Sequence, residues 1–584
     1  MTDTTLTSAA SAASVSAGPR TYGNWRKPSS PGLPRLGLLG TALALGSLVA
    51  VMSVQVLAGL LPAGVCALAV CAGLLPLVWR NRAGRNGWQV LAAKTAWRVG
   101  QRRRQHLYTS SLTGPVSFGS ARLPGLLANS RLLSAVTAHG EPFALIHLPS
   151  TRHYAVMIAL DPQGSQLIDP ETVDEWVACW GGWLARLGHE ANLEACTVTV
   201  ETAPDPGSRL AAEVQTMLTP DAPALSRAML TEAAASYPHG SATVTAYLTL
   251  TFSARRAART EREGVRLSQP RRQSRRRRSR GTGTATAPRP YSSLAAAADD
   301  SPTSGTGGTR IGVRSAQEMA AQIGRRLPLL LHQLRTCGAG TGAAMTAAEV
   351  AATVRVAYDP AAAPLLDRAR AQHDRLDSVS PRTGGVDALV APLVSWQDAG
   401  PVAQVEAWDH LRHDSGTSIT WQMVEVPHGA VQSRVLEQLL DANDMLARKR
   451  VTLIYRPHDP ASAARVADAD VRTAVGRATL RQGEGRATES LALAAARQSA
   501  AEQAIGAGLI RFSMLVTATI AGGGSGDTQQ LARAAELIEQ LGPACQLRLR
   551  RCYFSQAAAF TAALGVGVVL PKHVAVPDLV RDNL

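Results

Sequence analysis

Lysine is the residue to test first, because nucleotide hydrolysis in a P-loop needs one. The pattern GxxxxGK[ST] wraps phosphates in glycine amides and sends a lysine to the terminal phosphates. The chain has four lysines, Lys27, Lys94, Lys449 and Lys572; none follows a glycine, and only Lys94 precedes a threonine. A Walker-type ATPase is thereby excluded. Two glycine-rich turns remain. Gly338-Ala339-Gly340-Thr341-Gly342 follows a helical pattern and reads as a helix C-cap. Gly522-Gly523-Gly524-Ser525-Gly526-Asp527 follows a strand pattern and precedes a helical one, where amides can cradle an anion. Its spacing matches neither nucleotide motif, so a plain connection with Asp527 or Thr528 as N-cap is expected.

Metal and nucleophile chemistry find as little support. His410 and His413 stand three apart, but Asp414-Ser415-Gly416 reads as a hairpin turn and no third ligand is near. The seven cysteines (Cys66, Cys71, Cys179, Cys196, Cys337, Cys545 and Cys552) form no CxxC pair and read as small buried hydrophobes in a reducing compartment. GxSxG, HExxH and paired-carboxylate patterns are absent from the sequence. No catalytic, cofactor-binding or metal-ligating residue is expected, and the chain is read as a non-enzyme.

Charge is where the sequence is distinctive. The 584 residues carry a net charge of +16, unevenly placed. Residues 255–280 hold twelve arginines and two glutamates, including Arg271, Arg272, Arg275, Arg276, Arg277, Arg278 and Arg280. Residues 80–104 hold eight basic residues and no acid, among them Arg80, Arg82, Arg85, Arg102, Arg103 and Arg104. Residues 1–35 add a net +3, so the rest of the chain sums to about −5. Such a chain is a near-neutral body with basic segments, not a histone-like coat for nucleic acid.

Leu36 to Trp79 is a run of 44 residues without a charge, twice what one membrane span requires. Leu60-Leu61-Pro62-Ala63-Gly64 supplies a turn, which predicts a transmembrane hairpin of helices near 36–57 and 61–79. Basic residues flank both ends and none lies in the turn. The positive-inside rule therefore places the protein in the cell membrane with both termini cytoplasmic. Tyr22 and Trp25 stand where they would anchor at the membrane interface.

The expected organisation is a disordered tail over 1–34, the hairpin over 35–80 and a basic connector over 81–110. A first α+β domain follows over 111–254, then an Arg-rich disordered insertion over 255–315, then a second α+β domain over 316–584. In the first domain, strands are expected at 153–160, 196–202 and 242–252, and helices at 169–187, 207–218 and 224–236. In the second, helices are expected at 317–334, from the capping box Thr346–Glu349 onward, and at 429–447, 461–478, 486–508, 528–541 and 555–563. Strands are expected at 403–411, 417–426, 451–456, 512–520 and 546–551. The fold class read from this is α+β: the hairpin followed by a cytoplasmic body of two ferredoxin-like halves.

Three segments carry a resemblance. Tyr22-Gly23-Asn24-Trp25-Arg26-Lys27-Pro28 precedes the hairpin, and Trp408-Asp409-His410-Leu411-Arg412-His413-Asp414 leads to Trp421 and Val424-Glu425-Val426-Pro427. The most specific is Tyr553-Phe554-Ser555-Gln556, with Phe560 and Leu564-Gly565-Val566-Gly567. Over about 22–570 the chain resembles a family of actinobacterial integral membrane proteins of conjugative elements. That family is similar to a two-helix membrane subunit fused to the N-terminal, non-ATPase part of the VirB-type conjugation ATPase. The resemblance implies a non-catalytic scaffold of a type IV-like conjugation or secretion machine. It would dock a separate P-loop ATPase beside other membrane secretion subunits, as a homo-oligomer. The chain departs from the family at the 255–314 insertion, and in having Leu-Gly-Val-Gly where a Leu-Pro ending is common. Two other readings stand beside this one: a membrane component of a type VII secretion system, and a membrane-tethered nucleic-acid-binding protein. In the last, the arginines of 271–280 meet DNA or anionic lipid.

Overall fold

The computed structural model describes Tyr22, Gly23, Trp25 and residues 37–79, 81, 85–110, 123–162, 164, 167–205, 207–219, 221–236, 242–255, 313–370, 394–427, 431–443, 445–480, 486–522 and 527–574. Two apolar helices come first, α1 (Gly37–Ala58) and α2 (Leu60–Val78). The chain reverses at Gly59, whose φ of 91° suits glycine, and Pro62 falls in the first turn of α2, where its missing N–H costs no helical bond. Helix α3 (Gly87–Arg102) follows, opened by Asn86, whose N–H donates to Gln89 Oε1 at 3.2 Å.

The body is a mixed α+β fold around one antiparallel sheet. Its strands are β1 (Leu107–Thr109), β2 (Arg131–Val136), β3 (Pro142–Leu148), β4 (His153–Leu160), β5 (Leu193–Pro204), β6 (Ala242–Ser253) and β7 (Ala343–Ala344). They continue with β8 (Ala403–Glu406), β9 (Leu411–His413), β10 (Gly416–Glu425), β11 (Arg448–Pro457), β12 (Ile510–Ala521) and β13 (Arg548–Arg551). The spatial order is β1-β8-β9-β10-β12-β11-β5-β6-β4-β3-β2, with β7 on β4 and β13 on β10.

The helices interleave in a regular way. Helices α4 (Pro170–Leu187), α5 (Ser208–Met217), α6 (Ala224–Ser236), α7 (Ala316–Arg335) and α8 (Ala347–Tyr358) come with the first strands, and α9 (363–370) follows. Helices α10 (Glu437–Leu440), α11 (Pro460–Leu480), α12 (Arg486–Ala504), α13 (Asp527–Ala544), α14 (Gln556–Ala563) and α15 (Leu570–His573) come with the second set. The run β4-α4-β5-α5-α6-β6-α7-β7-α8 has the same order of elements as β10-α10-β11-α11-α12-β12-α13-β13-α14. Within the sheet these runs give β7-β4-β6-β5 and β13-β10-β12-β11. They meet where β5 and β11 pair antiparallel, from Lys449 opposite Thr202 to Tyr455 opposite Cys196.

Strand alternation sorts the core into two faces. Tyr154, Val156 and Ile158 of β4 and Leu248, Leu250 and Phe252 of β6 pack under α4 and α7. Ile419, Trp421, Val516 and Ala518 pack under α13. The opposite face takes Ala155, Met157, Tyr247, Ile454 and Leu515 beneath α8 and α14.

Several boundaries differ from the sequence reading. Residues 316–344 were expected to open the second domain, but α7 packs on β2 and β7 pairs with β4, so they complete the first half of the sheet. The helix expected over 429–447 shortens to α10. Val431 there pairs with Tyr22, and the carbonyl of Asp441 accepts from Lys449 Nζ, so those backbone groups serve other partners. The strand expected at 403–411 is a hairpin of β8 and β9, turned at Trp408 and Asp409, with Ala407 N–H donating to His410 O at 2.9 Å. The Thr346–Glu349 capping box is present, with Thr346 N–H donating to Glu349 Oε2 at 2.8 Å.

Candidate functional site

Helices α1 and α2 are long and apolar enough to cross a membrane. They are not core helices of the body: Val56, Leu57, Leu60 and Leu61 are 80–87% exposed. An apolar surface of this size needs a covering that water does not supply.

Helix α3 has two sides. Gly87, Val90, Ala93, Trp97 and Gly100 are half-buried. Trp88, Leu91 and Val99 are exposed on another face, with Lys94, Arg98 and Arg102 beside them. Arg103 and Arg104 continue the cationic edge past its end. Trp88 Nε1 donates to the carbonyl of Gly73 in α2 at 2.9 Å, tying α3 to the hairpin. Of the sequence-predicted membrane-surface arginines, the structure places Arg85, Arg102, Arg103 and Arg104 at the two ends of α3. Arg80 and Arg82 lie outside the described residues, as do the whole 271–280 arginine run and the 1–20 tail.

The segment that carries the resemblance supplies a contact between the body and this module. Trp97 of α3 lies 6.2 Å, ring to ring, from Phe554. Phe554 N–H donates to Trp408 O at 2.7 Å, and Trp408 stacks on Tyr553 at 5.1 Å. Tyr22, expected at a membrane interface, is instead docked on the body. It pairs with Val431, and its hydroxyl donates to Asp174 Oδ1 at 2.9 Å.

Behind the joint, Gln556 solves a backbone problem. Strand β10 pairs with β9 over 416–418 and with β13 over 421–425, leaving its edge open between them. Thr420 N–H there donates to Gln556 Oε1 at 2.8 Å, and Thr420 O accepts from Gln556 Nε2 at 3.3 Å and Cys552 N–H at 2.9 Å. Gln556 is fully buried, so these bonds replace ladder bonds that water cannot supply.

Helix α14 and the turn after it roof a polar seam. Thr452 donates to Ala563 O at 2.8 Å, Tyr247 to Leu564 O at 3.0 Å, and Thr249 to Gly565 O. Gly565 and Gly567 have φ of 67° and 85°, and a Cβ on either would fall within 2.6 Å of the sheet. Glycine is required here by contact and by dihedral, so Leu564-Gly565-Val566-Gly567 is a fitted roof.

The seam holds a buried charge cluster. Glu201 of β5 is opposite Arg450 of β11 and accepts from Arg448 and from Arg450 Nε at 2.6 Å. Burial pushes the Glu201 carboxyl up, but both guanidiniums outweigh it and hold it below the usual carboxylate value. Arg450 also lies 5.7 Å from the centre of the Phe560 ring.

The histidines are part of this packing. His413 is buried, with Nδ1 against Tyr358 O and Nε2 at 2.7 Å from Ser418 Oγ. Burial holds its pKa down at about 4, so it is neutral. A histidine–serine pair sealed from solvent meets no substrate. His410 instead bonds Asp409 at 2.8 Å on the rim of an open cleft of about 680 Å3 between α13 and β9–β10. Glu536 and Glu539 line its other side, and Arg551 bridges Asp409 and Glu539 at 3.4 and 3.3 Å. Among the described residues no group of three or more His, Cys, Asp and Glu could hold a metal ion. Gly338 and Gly340 follow α7 with φ of 72° each, as a C-terminal turn requires, and 523–526 lie outside the described residues.

Sequence reasoning missed the seam. Its only signal is the Arg448-Lys449-Arg450 triplet inside a strand pattern, where unpartnered charge would be out of place. A domain family of unknown function (DUF8461) matches residues 29–89, the hairpin with its flanks. No curated protein matches the chain.

Proposed function

We propose that the chain is a non-catalytic, membrane-anchored scaffold subunit of a type IV-like conjugation or secretion machine, docking a separate P-loop ATPase. In this reading the hairpin spans the cell membrane and both termini are cytoplasmic, because the flanking charges are basic on both sides. Helix α3 lies in the interface with its arginines toward anionic headgroups. The body behind it is two ferredoxin-like halves fused through β5 and β11. Their strand orders, β7-β4-β6-β5 and β13-β10-β12-β11, support that assignment.

One observation carries the reading. The Tyr553-Phe554…Gln556…Phe560 segment, on which the resemblance rests, is the joint between the hairpin module and the sheet. Phe554 meets α3, Gln556 closes β10, and Phe560 sits on the seam. A scaffold needs such a link between anchor and body.

The test is affinity purification from the native host in mild detergent, with mass spectrometry of the co-purifying proteins. A stoichiometric P-loop ATPase of a conjugative element is the expected result. Type VII core subunits in its place would replace this reading with that system. Recovery of the chain alone, with steeply salt-dependent DNA binding lost on deletion of 255–280, would favour a tethered nucleic-acid binder.

A further inference from the structure

Two cysteines 158 residues apart meet at the surface of the first half. Cys179 stands on α4, and Cys337 lies in the turn just after α7. Their Sγ atoms are 2.8 Å apart, well inside the ordinary spacing of non-bonded sulfurs. The surroundings hold them there. Cys179 Sγ is 3.5 Å from Thr336 Oγ1, and Cys337 Sγ donates to Gln333 O at 3.5 Å. The backbone at Gly338 presses on the indole of Trp176, one turn before Cys179, so closely that a Cβ there would sit 2.5 Å from the ring.

We propose that Cys179 and Cys337 form a thiol-oxidation site, which a small-molecule disulfide converts to an intramolecular disulfide linking α4 to the end of α7. Cys179 is half-buried and Cys337 buried, so an incoming oxidant reaches Cys179 first. The Cys179 sulfur attacks one sulfur of the external disulfide, the external S–S bond breaks, and one small thiol leaves with the Cys179 proton. Cys337 then attacks Cys179 in this mixed disulfide; a second small thiol leaves with the Cys337 proton, and the new S–S bond closes. Two protein sulfurs are oxidised and one external disulfide is reduced to two thiols. Burial first, and then the neighbouring thiol, push Cys337 up to about 12, which keeps its thiolate scarce; the contact with Cys179 offsets that in the second step by raising the effective concentration of the attacking sulfur.

The site has a structural consequence. Helix α7 resumes the fold after the 256–312 segment that contains the arginine run, and it packs against α4. The bond would pin the far side of that insertion to the first half of the sheet. The proposal goes beyond the scaffold reading and does not depend on it.

The experiment uses the full chain in mild detergent, reduced and then treated with glutathione disulfide. Free thiols are alkylated, the protein is digested with trypsin, and the peptides are weighed. The expected result is a linked pair of peptides, 153–186 with 336–355, two hydrogens lighter than their sum. Alkylation of Cys179 and Cys337 falls together by about tenfold while that of Cys196 is unchanged. In Cys337→Ser the reaction stops at the mixed disulfide on Cys179. A mixed disulfide that persists on Cys179 of the unsubstituted chain, pairing of Cys179 with any other cysteine, or no oxidation at either position would overturn the proposal. The unsubstituted chain decides by itself, so a variant that fails to fold leaves the test intact.

Discussion

Replacing Glu201 by Gln removes the carboxylate that, among the described residues, pairs with Arg448 and Arg450 at the seam between β5 and β11. Glu201 and Arg450 are 5% and 2% exposed, so the guanidinium left behind cannot recruit water. Breaking a buried ion pair from one side costs about 3–5 kcal/mol. Glutamine keeps one carbonyl acceptor, which places Glu201→Gln at the low end, about 3 kcal/mol. For a body this large the melting temperature should fall by roughly 3–6 °C. The measurement is urea unfolding of the full chain in detergent, followed by tryptophan fluorescence, since Trp183 and Trp421 are buried in the body. The control is Glu425→Gln, which breaks the 3.1 Å pair with Arg548, whose side chains are 51% and 37% exposed. An exposed pair of that kind contributes under about 1 kcal/mol. Adding Arg450→Met to Glu201→Gln should cost less than Arg450→Met alone, because the orphaned charge is then gone. The lowered Glu201 carboxyl contributes stability that is fully present above the ordinary value of 4.5 and lost as pH falls through its depressed one, and Glu201→Gln should flatten that acid limb. A midpoint shift for Glu201→Gln no larger than that of Glu425→Gln would refute the account of a dry, paired seam.

Three further outcomes follow from the packing. Gln556→Leu leaves the Thr420 amide and carbonyl without their side-chain partner, so the body should lose about 1–3 kcal/mol and hydrogen exchange at Thr420 should speed up; an unchanged Thr420 exchange rate would contradict the edge-closing role. Gly567→Ala combines φ of 85° with a Cβ 2.3 Å from that of Ala155, whereas Gly164→Ala has φ of 77° and nothing within 4 Å. The second should cost only the dihedral strain of about 1–2 kcal/mol and the first clearly more; equal midpoints in urea would show that the roof is not pressed on the sheet. His153 and His413 are both held at about 4 by burial, so each contributes stability present above the ordinary 6.5 and lost as pH falls toward 4, about 3 kcal/mol apiece. His413→Gln should make the decline in unfolding midpoint between pH 6.5 and 4 shallower, and an unaltered slope would mean that His413 is not kept neutral.

Local pattern made part of this fold legible. The charge-free run ended at charges, so both apolar helices were placed to within a residue or two. Short strand-like runs marked β4, β5, β6, β10 and β12, with β-branched alternation at 196–202. The capping box at Thr346 could be read because its donor and acceptor are three residues apart. Long-range partners were beyond reach for the converse reason. Lys449 and Arg450 look like surface charge, and only the partners Asp441 O and Glu201 explain their burial. Cys179 and Cys337 fail every spacing rule because α4 and α7 bring them together. The helix expected over 429–447 was overridden by contacts with Tyr22 and Lys449, neither of which local propensity can register. The repeated order of elements was hidden by unequal lengths: α4 has 18 residues and its counterpart α10 has four.

That repeat gives the charge cluster a reason to exist. Two halves joined edge to edge need their register defined, and a purely apolar β5–β11 contact would define it weakly. Because side chains alternate, a slip of one residue would carry Arg450 to the opposite face, among Ile419, Val516 and the other apolar residues beneath α13, far from the roof of α14. The slipped pairing would bury an unmatched guanidinium, at about 3–5 kcal/mol, while the native one satisfies it with Glu201. On this argument the seam is polar because it must be specific. The hydroxyls beside it follow the same logic: Thr199 meets Thr452 at 3.4 Å, and Thr420 meets Thr517 at 3.0 Å, each across a register position that a slip would break. The joint to the hairpin inherits that definition, since Gln556 and Phe560 take their places from β10 and β11. On the proposed scaffold reading, an anchor fixed to a sheet of fixed register would hold a partner bound anywhere on the body at a set orientation to the bilayer.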